Sequence, residues 1–304
     1  MSLLVIGTVA FDAIETPFGK TVKIVGGAAT YASLAASYFC KKTKIVAVVG
    51  EDFHTEDIQL LKNRGIDVEG LQIKKGEKSF FWSGKYHNDM NSRDTLVTEL
   101  NVLANFDPII PESYQDCEYL MLGNLTPQVQ QTVIKRLHKR PKLIVLDTMN
   151  FWMDIAMDDL LETIKMVDVL TINDAEARQL SGEFSLVKAA KKILTMGPQY
   201  LIIKKGEHGA LLFADDKIFS APALPLADVF DPTGAGDCFA GGFIGYLAQV
   251  DTINFNTMKN AIIFGSALAS LCVEKFGIER IKNLSDKEIA ERVQEFVKLS
   301  RFEL

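Results

Sequence analysis

Short, continuously apolar runs alternate along most of the chain with segments whose apolar residues recur at helical spacing. Such runs are typical of parallel strands buried on both faces, and the intervening segments are typical of crossover helices. The pattern predicts strands at Leu3–Gly7, Lys44–Val49, Tyr119–Leu122, Leu143–Leu146, Val167–Ile172 and Tyr200–Lys204. It predicts helices near Ala28–Cys40, Thr55–Arg64, Pro127–His138, Asp174–Leu180 and Ser185–Thr195. The expected fold class is α/β, a doubly wound and mostly parallel sheet flanked by helices.

Two segments, at about residues 11–25 and 78–102, break this alternation. They are rich in β-forming and polar residues, but they have no helical period and are less apolar than a central strand. We expect them to form a small separate β-sheet, which we call the lid; ordinary surface hairpins are the alternative. No linker rich in proline or glycine divides the chain. Residues 1–304 are therefore expected to form a single domain that carries the lid.

The end of the chain is predicted to be helical, at Met258–Val273 and again at Ser285–Leu299. Ser285 and Glu288 have the spacing of a capping box, in which the two side chains bond each other's backbone N–H groups at a helix start.

Composition limits the classes of partner. The 304-residue chain has a net charge of −6 and no basic run, which argues against binding to nucleic acid. No stretch approaches the roughly 18 apolar residues that a membrane span needs, and the apolar start predicts a first strand, not a signal peptide. The four cysteines lie far apart without a CxxC pair, which favours reduced thiols and a cytoplasmic location.

The strongest chemical motif is the run Asp231-Pro232-Thr233-Gly234-Ala235-Gly236-Asp237, which precedes an apolar helical segment. Small residues at a helix start leave backbone N–H groups unpaired beside the positive end of the helix dipole, and this suits an anion such as a phosphoryl group. A carboxylate in that first turn can accept a proton from an attacking hydroxyl. Asp237 is therefore the candidate general base. The alternative is a glycine-rich loop with a capping aspartate.

At this motif the chain resembles the ribokinase-like (PfkB) family of carbohydrate and nucleoside kinases, and the order of strands and helices matches over nearly the whole length. The resemblance implies an ATP- and Mg²⁺-dependent enzyme that phosphorylates a hydroxyl of a small sugar or sugar derivative, or else of a nucleoside. It implies an anion hole made by the amides of Gly234, Ala235 and Gly236, with Asp237 as the base. It also implies a monovalent cation, such as K⁺, near the backbone of Asp231 and Thr233.

Two further elements match the same resemblance. Asn173 and Glu176 follow a predicted strand and share a helix face, where the family's glutamate helps to hold Mg²⁺ through water; a plain helix N-cap is the alternative. Lys204, Gly206 and Gly209 match the strand–turn–strand that family members use near the nucleotide, although a simple hairpin would show the same residues. By the same resemblance, the helix at residues 261–273 lines the adenine pocket.

The N-terminal half is expected to hold the substrate. Gly26 and Gly27 resemble the family's paired glycines beneath the sugar, and Asp12 lies where members place an aspartate that bonds substrate hydroxyls. Without that resemblance, Asp12 is equally well explained as a turn residue.

Two departures bear on the substrate. Tyr31 stands where many members have an asparagine, and Ala10 stands where ribokinases have another, so two amides that would bind hydroxyls are missing. The acceptor is therefore a different sugar, a sugar derivative, or a nucleoside whose base stacks on Tyr31 or Phe11.

Phe80, Phe81, Trp82 and Tyr86 give the lid an aromatic cluster. The preferred interpretation is a small core of the lid itself or a dimer face, ahead of direct contact with the ligand. Because an open small sheet leaves an edge and an apolar face to cover, we expect a homodimer formed through the lid.

Three competing functions are weaker. A dinucleotide-dependent oxidoreductase should show GxGxxG after the first strand, but the segment Gly7–Asp12 has one glycine. A P-loop kinase should show GxxxxGK[ST], which is absent. A sensor that has lost activity should lack the base or the anion hole, yet Asp237, Glu176 and both loop glycines are present.

Overall fold

A computed structural model describes residues 1–301 and 303. The strands are β1 (Leu3–Ile6), β2 (Ala10–Thr16), β3 (Gly19–Lys20), β4 (Ile24–Gly26), β5 (Thr43–Gly50), β6 (Asp67–Lys74), β7 (Phe81–Tyr86), β8 (Arg93–Glu99), β9 (Tyr119–Leu122), β10 (Leu143–Asp147), β11 (Val169–Asn173), β12 (Tyr200–Lys204), β13 (Ala210–Ala214) and β14 (Lys217–Ala221). The helices are α1 (Ala28–Ala36), α2 (Thr55–Asn63), α3 (Pro127–Arg136), α4 (Asn150–Ile155), α5 (Met157–Ile164), α6 (Asp174–Ser181), α7 (Leu186–Leu194), α8 (Ala235–Val250), α9 (Phe255–Cys272) and α10 (Asp286–Ser300). All six predicted strands form within two residues of the expected ends.

The main sheet has nine strands in the order β14-β13-β12-β11-β10-β9-β1-β5-β6. Seven neighbouring strands of this sheet are parallel: β12, β11, β10, β9, β1, β5 and β6. Strands β13 and β14 add an antiparallel edge. The doubly wound α/β prediction is confirmed. The prediction omitted β6, which is the strand at the opposite edge and is only partly buried.

The core lies on both faces of this sheet. Alternate residues of β1 enter opposite clusters, with Leu3 and Val5 on one face and Leu4 and Ile6 on the other. The first face is covered by α1, α8 and α9, and the second by α3, α5, α6 and α7. Helix α1 ends four residues earlier than predicted, because the chain turns after Ala36.

The lid segments form a second, five-stranded sheet in the order β3-β2-β7-β8, with β4 also paired to β2. The small separate sheet is thus confirmed, although it is mixed: β2 and β7 run parallel and the other pairs are antiparallel. Asp12 is paired with Trp82, so their side chains share one face of the lid. Tyr86, four residues after Trp82, lies on that face and bonds the main body through Thr233.

The C-terminal helix α10 begins as predicted. Ser285 Oγ accepts the Glu288 N–H, and the Glu288 carboxylate accepts the Ser285 N–H at 2.9 Å. Among the helices within residues 1–301, none combines the length and the apolar character that crossing a membrane requires.

Candidate active site

Polar side chains meet where β10, β11 and β12 end side by side. The register pairs Asp147 with Thr171 and Asn173 with Lys204, so these residues lie along one edge of the main sheet. Asp147 was missed by the sequence analysis, although an aspartate directly after a buried apolar strand was a visible signal. This edge is where doubly wound sheets bind ligands.

Lys204 and Asp147 form an ion pair at this edge. Lys204 Nζ lies 2.7 Å from Asp147 Oδ1, and Thr171 Oγ1 donates to the same carboxylate oxygen at 2.8 Å. Asp147 is 6% exposed. Burial acts to lower the pKa of Lys204, but the negative charges of Asp147 and Glu176 outweigh it and raise that pKa. Lys204 is therefore a fixed cation in the site.

Asn173 and Glu176 form a reciprocal cap at the start of α6. The Asn173 N–H donates to Glu176 Oε2 at 2.7 Å, and the Glu176 N–H donates to Asn173 Oδ1 at 2.8 Å. The N-cap interpretation is thus correct as a description of the contacts. It does not exclude a binding role, because burial raises the pKa of Glu176 to about 7 and Lys204 partly opposes that rise.

The loop at residues 231–237 is held from within. The Asp231 carboxylate accepts the Thr233 N–H at 2.9 Å and the Gly277 N–H at 2.8 Å. Gly234 has a φ of +76°, a conformation that favours glycine, and α8 begins at the next residue. The amide groups of this turn consequently lie at the positive end of a 16-residue helix.

Tyr31 lies beneath this loop. The side chain is 1% exposed, and a Cβ atom placed on Gly234 would lie 2.4 Å from the Tyr31 ring. The ring therefore supports the turn from inside the protein and offers no free face to a base. Stacking of a nucleobase on Tyr31 has no support in this arrangement.

Asp237 lies in the first turn of α8, beside the ion pair. Burial is the main cause that raises the pKa of Asp237 to about 7, and the negative charge of Asp147 adds to it. Lys204 and Arg93 oppose the rise through their positive charges. A carboxyl group with a pKa near neutrality is well suited to accept a proton from a hydroxyl.

A cleft of about 420 Å³ adjoins the loop. Its walls include Lys204, Gly206 and Gly209 from the turn after β12, together with Ala235 and Gly236 from the loop. Helix α9 and its C-terminal end contribute the following residues: Ser266, Ala269, Ser270 and Val273. The cleft thus brings together three of the predicted nucleotide-side residues, Lys204, Gly206 and Gly209, and identifies which part of α9 lines it. Asn173, Glu176 and Thr233 are not among the residues that line it.

Gly209 is required by the turn that borders this cleft. It has a φ of +84°, and a Cβ atom there would lie 2.1 Å from the Ala221 carbonyl oxygen. The hairpin alternative is also correct, because β12 and β13 pair in antiparallel fashion around this turn.

The predicted substrate-side residues Asp12 and Gly26 lie in strands β2 and β4 of the lid, and Gly27 lies at the start of α1. Asp12 is 4% exposed, and its Oδ2 would be 1.9 Å from a Cβ atom on Gly26, so the carboxylate lies directly on that glycine. Gly27 has a φ of +94° and precedes α1. Burial raises the pKa of Asp12 to about 7, and the nearby charge of Asp231 adds to the rise.

Two aromatic residues of the lid differ in their availability. Phe11 is 6% exposed, and its ring centroid lies 5.1 Å from that of Phe53 in the main body. Trp82 is half-buried on the face of the lid that carries Asp12, and its ring lies across Gly84, where a Cβ atom would be 2.2 Å away. Trp82, not Phe11, therefore presents an aromatic surface on the substrate side.

The acidic groups at this edge fit a divalent cation. The carboxyl groups of Asp147, Glu176 and Asp237 all lie close enough to the Lys204 ammonium to raise its pKa, so three acidic groups surround this one cation. Within the described residues, no three acidic, thiol or imidazole side chains are close enough to hold a metal by themselves. A cation here would complete its ligands with phosphate oxygens and water.

Comparison with known proteins agrees with this geometry. The family described as pfkB family carbohydrate kinase matches residues 2–283. A cytidine kinase from Thermococcus kodakarensis is 33% identical over 253 residues, which cover 81% of this chain and 88% of that protein. The structure of a nucleoside kinase from Methanocaldococcus jannaschii superposes with a TM-score of 0.76 at 21% identity, covering 97% of this chain and 99% of that one.

A ribokinase from Arabidopsis thaliana, solved with ribose and ATP, has the same fold. Its TM-score is 0.75 at 21% identity, with 96% of this chain and 98% of that chain covered. The family match spans both sheets, the loop before α8 and the cleft beside it. The chain therefore belongs to the pfkB family of carbohydrate kinases, enzymes that transfer a phosphoryl group to a hydroxyl acceptor.

Proposed function

We propose that this kinase transfers the γ-phosphoryl group of ATP to a hydroxyl of a small sugar-containing substrate, with Asp237 as the general base. The observation that carries the proposal is the position of Asp237, whose carboxylate lies in the first turn of α8 directly after the Gly234 turn. Asp237 orients the attacking hydroxyl and accepts its proton. The amides of Gly234, Ala235 and Gly236 stabilise the charge on the transferring group.

ATP occupies the cleft beside α9 in this proposal. The adenine ring of ATP lies among the small side chains of Ser266, Ala269 and Ser270. The phosphates extend past Gly206 and Gly209 towards Lys204. Lys204 interacts with the phosphates as a point charge, because its ammonium is already fixed by Asp147.

Mg²⁺ would be held near Glu176, through water, and would supply charge neutralisation of the phosphates. Burial raises the pKa of Glu176 to about 7, and a bound Mg²⁺ nearby would lower it, so the glutamate would be ionised in the nucleotide complex. A monovalent cation such as K⁺, near the backbone of Asp231 and Thr233, remains part of the proposal.

Two acceptor classes are consistent with the family. A sugar or sugar derivative would be gripped by Asp12 above Gly26 and Gly27. A nucleoside would in addition place its base against Trp82, which shares the inner face of the lid with Asp12. The similarity to a cytidine kinase and the position of Trp82 favour the nucleoside.

The lid is proposed to cover the acceptor during transfer and to exclude water. We also retain the proposals of a homodimer through the lid and of a cytoplasmic location. Leu96 and Val97 expose apolar surface on β8, and the four cysteines are free and buried. Sedimentation at micromolar protein tests the dimer, and a monomer peak would contradict it.

The function is tested by ADP release from ATP and Mg²⁺ against a panel of pentoses, hexoses, sugar phosphates, pyrimidine nucleosides and purine nucleosides. We expect at least one acceptor to stimulate ADP release. In the Asp237→Asn variant, turnover should fall by about 10²–10⁴-fold, the usual contribution of a general base. ATP affinity should be nearly unchanged.

The panel also chooses between the acceptor classes. Stimulation by nucleosides alone identifies a nucleoside kinase, and stimulation by free sugars identifies a sugar kinase. Near wild-type turnover in Asp237→Asn would remove Asp237 from its role. The matched control is Asp228→Asn, which changes an exposed aspartate three residues before the loop.

A further inference from the structure

Arg93 begins β8 at the inner face of the lid. The register pairs Arg93 with Tyr86, the last residue of β7. The Tyr86 hydroxyl lies 3.2 Å from Thr233 Oγ1, in the loop that precedes α8. The strand pair thus delivers Arg93 to the same loop that carries the anion hole.

The tip of the lid is also connected to the nucleotide side of the site. Asp89, Met90 and Asn91, in the turn just before Arg93, line the cleft. Asn91 Nδ2 donates to Glu207 Oε1 at 3.4 Å, across the turn that follows β12. Arg93 therefore lies between the nucleotide cleft and the acceptor side of the lid.

The guanidinium of Arg93 is not used by a neighbouring carboxylate. Within the described lid segments, the ion pairs are Lys20 and Lys85 with Glu15, and His87 with Asp94. The guanidinium carbon of Arg93 lies 5.8 Å from the ring centre of Trp82, so the side chain extends along the inner face of the lid. Arg93 interacts with the Tyr86 hydroxyl, and since a guanidinium carries five N–H donors it can bind an anion in addition.

The positive charge of Arg93 affects the ionisable groups of the candidate active site. Its positive charge acts to lower the pKa values of Asp237 and of Glu176, and it also acts to lower the pKa of Tyr86. Asp237 and Glu176 flank the position proposed above for the γ-phosphate, and Tyr86 is bonded to the loop beside it. A cation that acts on all of them is well placed to neutralise charge on that phosphate.

We propose that Arg93 is a catalytic residue supplied by the lid, whose guanidinium binds the oxygens of the transferring phosphoryl group. The proposal rests on the phosphoryl transfer proposed above. The bond between the γ-phosphorus and the bridging oxygen of ADP breaks, a bond to the acceptor oxygen forms, and Asp237 takes the acceptor's proton. Arg93 stays protonated throughout and stabilises the charge on the three equatorial oxygens.

Arg93→Gln is expected to lower kcat by about 10²–10³-fold, the usual effect of removing one preorganised donor from a transition state. The KM values for ATP and the acceptor should change by less than about threefold, since the interaction strengthens only in the transition state. Arg93→Lys should recover part of kcat, because it keeps the positive charge. Recovery should be incomplete, because lysine lacks the two parallel N–H donors of the guanidinium. The control is Lys85→Gln, which removes an exposed cation of the lid that is paired with Glu15.

A second measurement does not require the acceptor to be known. ADP affinity is measured with Mg²⁺ in the presence and absence of aluminium fluoride, which mimics the transferring phosphoryl group. In the wild-type enzyme and in Lys85→Gln, fluoride should tighten ADP binding. In Arg93→Gln that gain should be lost while affinity for ADP alone is retained.

The outcomes separate the two proposals. A silent acceptor panel in the wild-type enzyme counts against the proposed function, and the fluoride comparison still decides the role of Arg93. Wild-type kcat in Arg93→Gln, or an equal loss of affinity for ADP with and without fluoride, would overturn the assignment. Unchanged melting temperature shows that the lid variants are folded.

Discussion

Lys204 Nζ lies 2.7 Å from Asp147 Oδ1, although the two residues are 57 positions apart in sequence and end different strands. The pair is largely buried, with 18% of the Lys204 side chain and 9% of the Asp147 side chain exposed. Both charges act on Asp237, in opposite directions. The ion pair therefore adjusts the pKa of the candidate base, which is raised mainly by burial, and it fixes the position of the lysine proposed to bind phosphate.

The pH dependence of kcat/KM, which reports ionisation of the free enzyme, should follow from this pair. A general base works only when ionised, so with a pKa of about 7 for Asp237 the rate should fall about tenfold per pH unit below that value. Because Asp147 raises the pKa of Asp237, Asp147→Asn should move the acid limb to lower pH. Because Lys204 lowers it, Lys204→Met should move the limb to higher pH. Initial rates from pH 5 to 9 at substrate concentrations well below KM measure both shifts.

Stability provides a control for these variants. Removing one member of a buried ion pair leaves an uncompensated charge, which costs about 3–5 kcal/mol, so Lys204→Met should also melt at lower temperature. The pH–rate profiles are therefore measured well below the melting temperature of Lys204→Met. An acid limb that moves in the same direction in both variants would contradict the electrostatic account.

Gly234 and Gly236 should respond differently to the same substitution. Gly234→Ala places a methyl group 2.4 Å from the Tyr31 ring, at a φ of +76°. The left-handed conformation and the overpacking together should cost about 2–5 kcal/mol. Gly236→Ala meets only Lys204 Nζ, at 3.2 Å, and lies within α8, so the fold should be retained.

The two alanine variants should also differ in how their kcat changes relate to their stability. Gly236→Ala should lower kcat by about 10–10²-fold at unchanged melting temperature, because the methyl group occupies space beside the phosphate-binding lysine. Gly234→Ala should lower both kcat and the melting temperature. Thermal unfolding and kcat are measured on the same preparations. If Gly236→Ala lost stability and kept full kcat, the anion-hole assignment would be wrong.

The parts of the fold that the sequence predicted are those set by local patterns. The parallel strands were recognised because they are buried on both faces, and the loop from Asp231 to Asp237 because glycines and a helix start lie next to each other. Edge strand β6 was missed because its apolar residues alternate with polar ones and it is only partly buried.

The parts of the site that were missed depend on contacts between distant elements. Asp147 pairs with Lys204 only because β10, β11 and β12 are neighbours in the sheet. Arg93 is close enough to act on Asp237 because Tyr86, its partner in the lid sheet, bonds Thr233 of the loop. Tyr31 is buried because α1 packs beneath the Gly234 turn, and no local pattern records which face of a helix meets a loop 200 residues away.

Asp12 should reduce the stability of the enzyme at neutral pH. Its pKa rises from the ordinary value of 3.8 to about 7 in the folded state, so the folded protein binds more protons than the unfolded chain between about pH 4 and pH 7. Stability from this group is therefore lost as pH rises through that range. Asp12→Asn should raise the melting temperature at pH 8 by a few degrees, and by less at pH 5.

Asp52 offers a control of opposite sign. Its partial burial acts to raise the pKa, but hydrogen bonds from Ser79 and Lys23 outweigh that effect and hold the pKa below its ordinary value. Asp52→Asn should thus lower the melting temperature at pH 8. Differential scanning fluorimetry without ligands at pH 5 and pH 8 measures both variants. A lower melting temperature for Asp12→Asn at pH 8 would show that the carboxylate is not destabilising.

Trp82 should determine the affinity for the acceptor. Its ring lies flat across Gly84, with Nε1 donating to Thr95 Oγ1 at 3.3 Å, and it shares the inner face of the lid with Asp12. A base stacked on an aromatic side chain contributes about 1–3 kcal/mol by alanine substitution. If the acceptor is a nucleoside, Trp82→Ala should raise its KM by about 10–100-fold.

The ATP site should not sense this change, because the cleft beside α9 is lined without Trp82. Trp82→Phe should retain most of the affinity, since it keeps an aromatic face. Val97→Ala, an exposed position paired with Ser83 on the opposite face of the lid, is the matched control and should leave both KM values unchanged. An equal rise in KM for ATP and acceptor would indicate a disturbed lid. An unchanged nucleoside KM in Trp82→Ala would remove the stacking surface and return the preference to a plain sugar held by Asp12.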